Sequence, residues 1–274
     1  MGSNRIGLPE VIASNTIPRE SAFTIQCRVV HALLLRDVKA RYGGRRLGFT
    51  WALIEPVLFI TLFVGVFHLI GRSSQSGIEA PLFFITGFSP FFMFRDVLSQ
   101  VTACTKSLSP LLMFPQVSRF DILIATVILE TLVAFLVLFL LLAGCYLMGY
   151  TFTIERPLDV LAALMLLVGL STGLGLVLGA LTIRYEFVSA FSNALLSRPL
   201  FLASGLFFTA DVLPAEARYY ALFNPVLHCI EAIRSAIFHS FESRYVDLQY
   251  VIVFVLILIG FGLLLADFFE RARR

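Results

Sequence analysis

The chain has 274 residues, of which 58% are hydrophobic and only 14% charged, with a formal net charge of +3. A soluble domain carries about a quarter of its residues charged, so this composition excludes an ordinary soluble protein and indicates a chain that crosses a membrane repeatedly. Cys27, Cys104, Cys145 and Cys229 form no Cys-x-x-Cys pair, and the histidines form no His-x-x-x-His pair, which argues against a metal site.

Residues 1–22 read as a polar tail without the apolar core of a signal peptide, and 23–274 as one membrane domain. Over 23–42, Phe23, Cys27, Val30, Leu34 and Val38 recur at helical spacing, with Arg28, His31, Arg36 and Lys39 away from that stripe. This predicts an amphipathic helix on the inner membrane surface. Arg36, Lys39 and the following Arg41, Arg45 and Arg46 would face anionic headgroups.

A crossing helix needs about 20 apolar residues. Such runs occupy 51–70, 81–103, 122–148, 157–183, 187–208 and 250–269, the second weakened by Pro90, Arg95 and Asp96. The predicted fold class is therefore all-α integral membrane, with six transmembrane helices preceded by the amphipathic interface helix. The stretch 206–238 is too apolar for an external loop, yet it is broken by Pro214 and Pro225 and charged at Glu216, Arg218, Glu231 and Arg234. It predicts re-entrant periplasmic helices between spans five and six. Irregular backbone survives at depth only where protein or water covers it, which suggests a cavity or channel mouth.

Charge sets the orientation. Arg5, Arg19, Arg28, Arg36, Lys39, Arg41, Arg45 and Arg46 precede span one, and Lys106, Arg119, Arg184, Arg271, Arg273 and Arg274 fall on the same side. The opposite side carries Arg72, Arg156, Arg218, Arg234 and Arg244. The positive-inside rule places both termini in the cytoplasm.

Span four contains Gly169, Gly173, Gly175 and Gly179. Small residues four apart allow close helix approach, within one subunit or between two copies. Span five contains Arg198 and Pro199. An arginine at bilayer depth costs about 3 kcal/mol on insertion scales, and proline removes a backbone hydrogen bond. Arg198, Glu130, Arg95 and Asp96 fall in one layer, roughly 12–16 Å from the inner ends of their spans at 1.5 Å per residue. Two arrangements fit: internal pairing of Glu130 with Arg198 and of Asp96 with Arg95, or an arginine facing a hydrated path and an anionic passenger. Of the 28 phenylalanines, Phe88, Phe92 and Phe201 fall in spans two and five, where aromatic faces suit sugar rings.

No Gly-x-x-x-x-Gly-Lys-Ser/Thr motif occurs, and the only lysines are Lys39 and Lys106, neither after a glycine. Any ATP-driven step therefore needs a separate ATPase. No Asp-x-Asp motif or catalytic pair supports a membrane acyl- or glycosyltransferase, and a passive scaffold leaves the charged layer without a purpose.

The stretch RDVKARYGGRRLGFTWALIEPVLF (36–59) joins the basic helix to Leu47-Gly48, Trp51 and Glu55-Pro56. With RPLFLASGLFF (198–208), Leu213-Pro214 and NPVLHCIEAIR (224–234), it resembles the membrane subunit of ABC-2 type exporters, most closely the capsular polysaccharide and O-antigen branch. The resemblance runs from about residue 23 to the end.

It implies a homodimer forming a channel above two nucleotide-binding subunits, with no cofactor in this chain and ATP and magnesium on the partner ATPase. The cargo would be a lipid-linked acidic polysaccharide moved from cytoplasm to periplasm; another lipid-linked glycan such as O-antigen or teichoic acid, a lipid or a drug is the alternative. The chain would then be a transport permease and not an enzyme. Arg198, Arg95, Glu130, Phe88, Phe92 and Phe201 are its candidate channel residues. The segment between spans two and three would couple to the ATPase through Ser109, Leu111, Leu112, Met113 and Phe114, whose apolar members need a partner. Membrane lipids complete the expected partners, a periplasmic co-polymerase or adaptor stays open, and no nucleic acid is expected.

Overall fold

The computed structural model describes residues 22–42, 48–71, 74–106, 117–185, 187–188 and 199–271. Its elements are α1 (Ala22–Tyr42), α2 (Gly48–Leu69), β1 (Ser74–Gln75), β2 (Ile78–Glu79), α3 (Ala80–Lys106), α4 (Arg119–Leu147), α5 (Pro157–Arg184), α6 (Pro199–Ala203), α7 (Ala215–Ala221), α8 (Pro225–Ile237) and α9 (Leu248–Arg271). The described chain is thus mostly helical. Four of its helices, α3, α4, α5 and α9, are long and apolar enough to cross a membrane, and α2 adds a shorter apolar stretch, Leu53–Leu69.

Helix α3 is the core of the protein. It packs on α2, α4, α5 and α8, and Phe83, Phe84, Phe88, Val97 and Val101 are fully enclosed. Helix α5 is the second hub, and its glycines explain how. A β-carbon at Gly175 would stand 2.8 Å from Val101 Cβ, and one at Gly179 would stand 2.5 Å from Thr105 Cβ, both on α3. Gly169 and Gly173 instead meet Val255 and Leu258 of α9, and Gly262 of α9 reciprocates against Leu176. The small residues therefore form two seams on different faces of one helix, both within the subunit. Side chains there would block the approach that lets backbones pack in an apolar solvent.

Helix ends follow local chemistry. Ser118 and Asp121 form a reciprocal capping box that starts α4. That helix ends in a Schellman motif: Gly149 sits at φ +93°, and Tyr150 N–H donates to Cys145 O at 3.1 Å. Helix α8 begins at Pro225, capped by Asn224 Oδ1 accepting from Val226 N–H at 3.0 Å.

Helix α1 lies against α4 and buries part of the predicted stripe, Val30 and Leu34. Val29, Val30, Leu33 and Leu34 pack around Ile122 and Ala125, whereas Cys27 and Val38 are exposed. The covered face is shifted from that stripe, sharing Val30 and Leu34 with it and adding Val29 and Leu33 beside them. Gln26 donates to Asp121, tying α1 to the first turn of α4. Arg36 and Lys39 stay exposed, Arg36 pairing with its neighbour Asp37.

The run 187–208 is described only in part. Helix α6 stops at Ala203, where a turn with Gly205 at φ +73° redirects the chain, so 204–208 do not continue a helix. Leu206 turns into the core instead.

Candidate functional site

Helices α2 and α3 carry phenylalanine every fourth residue on one face: Phe59, Phe63 and Phe67 on α2, and Phe84, Phe88 and Phe92 on α3. Residues four apart share a helix face, and the helices run in opposite directions, so the rows interleave. Ring centroids lie 5.5 Å apart for Phe59–Phe92, 5.3 Å for Phe63–Phe88 and 4.9 Å for Phe67–Phe84. Phe201 of α6 and Phe207 beyond it close the ladder, Phe201 lying 5.8 Å from Phe88 and Phe207 4.8 Å from Phe63. Each such pair adds about 0.5–1.5 kcal/mol beyond the apolar area it covers.

The α3 row is buried, while Phe59, Phe63, Phe201 and Phe207 are half-buried and form its outer layer. Phe88 and Phe92 therefore stand behind the surface within one protomer. The spacing of four on both helices would have picked out Phe59 and Phe63, which sequence reasoning passed over.

One turn beyond the ladder is an ion cluster. Arg95 Nη1 donates to Glu55 Oε1 at 2.8 Å, and Arg95 Nη2 meets Asp96 Oδ1 at 3.0 Å. Its guanidinium lies 4.7 Å from the centroid of the Phe92 ring. The Asp96 partner matches the internal pairing read from sequence; Glu55, on α2 and 40 residues earlier, is the partner that reading lacked. Among the described residues this one cation meets two carboxylates, so the arginine is already committed. Glu130 is buried on α4. Arg198, Arg45, Arg46 and the coupling residues Ser109, Leu111, Leu112, Met113 and Phe114 lie outside the described residues, as do the side chains of Arg41 and Phe23.

Three of the charges in 206–238, Arg218, Glu231 and Arg234, bond to the backbone. Arg234, fully buried at the end of α8, donates to Gly205 O at 2.6 Å and Phe83 O at 3.2 Å and stacks 3.7 Å from the Phe83 ring centroid. Gly87 leaves the room, since a β-carbon there would be 2.6 Å from Arg234 Nη2. Glu231 accepts from Ala210 N–H and Ser243 Oγ. Arg218 donates to Ala210 O at 2.9 Å and Leu213 O at 2.7 Å. These groups satisfy the turns that prolines and glycine leave open, which is what unpaired buried peptide groups demand.

The ABC-2 type transporter family model matches residues 28–238. The chain belongs to this family. Among curated relatives of this ABC-2 family member, the Escherichia coli "Polysialic acid transport protein KpsM" is 31% identical over 252 residues, covering 92% of this chain and 97% of the relative. The "Capsule polysaccharide export inner-membrane protein CtrC" of Neisseria meningitidis serogroup B is 30% identical, covering 91% and 94%. The Haemophilus influenzae protein of the same description, BexB, is 28% identical, covering 92% and 95%.

Proposed function

We propose that this ABC-2 family member is the permease of an ATP-driven exporter carrying a lipid-linked acidic capsular polysaccharide from the cytoplasm to the periplasm. The observation that carries the reading is near full-length similarity to transport proteins whose names state polysialic acid or capsule polysaccharide export. In this reading two copies enclose the path and two separate ATPase subunits drive it, holding the ATP and magnesium. In this reading the chain has six spans, the fifth ending at Ala203 before the turn at Gly205, and α7 and α8 re-enter the outer leaflet. Both termini are cytoplasmic, in a bacterial inner membrane.

Arg198 is the residue proposed to meet acidic sugars, because a guanidinium fork suits carboxylates. Arg95, braced by Glu55 and Asp96, holds the wall at the end of the aromatic ladder, with Glu130 in the same layer. Phe201 is the ladder ring placed to touch cargo, and Phe88 and Phe92 support it. Leu111, Leu112 and Met113, flanked by Ser109 and Phe114, form the coupling contact.

Two measurements test the reading. Expressed in a strain lacking KpsM, the chain with its own ATPase should place polysaccharide on the cell surface, and co-purification should recover that ATPase with retained glycan. A retained lipid or small molecule without glycan would overturn it. Arg198→Ala should abolish export while leaving insertion and ATPase pairing intact, and undiminished export would remove Arg198 from the path.

A further inference from the structure

Between the end of α2 and the start of α3 the chain makes a two-stranded hairpin. Ser76 and Gly77 form its turn with φ of 51° and 80°. Two positive φ values are what a type I′ turn requires, and such turns match the twist of paired strands. The register pairs Ser74 with Glu79 and Gln75 with Ile78. Directly opposed residues share a face, and successive residues alternate faces. Ile78 is buried, so Ser74 and Glu79 stand together on the side turned away from that core contact.

The hairpin is held in place. Ser76 Oγ lies 2.9 Å from Thr209 Oγ1, and Ser240 Oγ donates to Gly77 O at 3.2 Å. Beside Ser74 and Glu79 opens a cleft of about 340 Å³. Its other polar walls are His68, in the last turn of α2, and Tyr150, delivered by the Schellman turn of α4. Val64 and Pro81 form apolar walls. Three helix ends converge here, two of them from spanning-length helices, so the cleft sits at the membrane boundary.

We propose that this cleft binds the headgroup of a membrane phospholipid bearing a primary ammonium, of the phosphatidylethanolamine class. Glu79 is the only formal charge among the described lining residues. A carboxylate accepts charge-assisted hydrogen bonds from an ammonium, and a quaternary amine has no N–H to give. The hydroxyls of Ser74 and Tyr150 and the ring of His68 supply donors for the phosphate next to it. Val64 and Pro81 continue toward the acyl region. The volume suits a headgroup, since small-molecule sites begin near 300 Å³. A headgroup held here joins α2, α3 and α4 at one edge, independently of the cargo.

The test uses the full chain with its ATPase in nanodiscs containing equal phosphatidylethanolamine, phosphatidylcholine and phosphatidylglycerol, with retained lipids counted by native mass spectrometry. The wild type should retain phosphatidylethanolamine over phosphatidylcholine by about tenfold, one charge-assisted bond's worth. Glu79→Gln should erase that preference while unfolding at the same temperature in phosphatidylcholine alone, and Ser74→Ala should weaken it. Soluble phosphoethanolamine should displace the retained lipid. Equal retention of the ethanolamine and choline lipids, or a preference that survives Glu79→Gln, overturns the proposal. Selective retention that phosphoethanolamine cannot displace places recognition in the acyl chains and overturns it equally.

Discussion

Helices α3 and α9 are opposites. In α3, 83% of the most apolar stretch is buried inside the protein, against 17% in α9, yet α9 is much the more apolar of the two. In a soluble protein that order would be reversed. Lipid tails are as apolar as leucine, so they can cover Leu256, Leu264 and Phe268 of α9 without protein help. Helix α3 carries Pro90, Arg95, Asp96 and several hydroxyls, and each of these needs a protein partner. Within a bilayer, apolarity marks what may face outward, and polarity marks what must be enclosed.

The largest test of this contrast is a matched pair of truncations. Phe88→Ala should cost about 3–5 kcal/mol, because the ladder cannot collapse around the missing ring. Leu264→Ala on α9 should stay within about 0.5 kcal/mol, and unfolding titrations in detergent micelles compare them directly. Equal losses would break the contrast. Next in size is Gly175→Leu, which drives a side chain into Val101; overpacking of this kind costs about 1–3 kcal/mol, read as a lowered unfolding midpoint. Leu at Gly260, where a β-carbon meets nothing within 4 Å, serves as the silent control. Smallest is the Glu55–Arg95 pair. Both side chains are about one-third exposed, so solvent screens them. A double-mutant cycle with Glu55→Gln and Arg95→Gln should give a coupling of about 0.2–1 kcal/mol. A value near 3 would mean the pair is far drier than its exposure indicates.

Sequence made some of this legible for physical reasons. The apolar run at 122–148 falls on α4, because Glu130 is its only charge, no proline breaks it, and Ser118 and Asp121 mark its start. Family membership was legible in the Glu55-Pro56 and Asn224-Pro225 neighbourhoods. The stripe on α1 was right at Val30 and Leu34 and missed Val29 and Leu33, because apolar residues occupy two adjacent faces and periodicity does not say how far each meets protein. Glu55 escaped notice as a partner because pairing across 40 residues depends on how α2 and α3 are set together. The broken, charged backbone of 206–238 suggested a cavity or channel mouth, since sequence cannot distinguish a guanidinium aimed at water from one aimed at Gly205 O. Hydropathy over 187–208 was blind to the turn at Gly205, because Leu206 and Phe207 are apolar whether they continue a helix or leave it.

The glycine seams have a mechanical consequence. With α5 locked to α3 on one side and to α9 on another, sliding any of these three would drive side chains into backbone. They form a stiff keel. Helix α2 stands outside that keel, and what joins it to α3 is a row of rings that can tilt and a screened ion pair that can part and re-form.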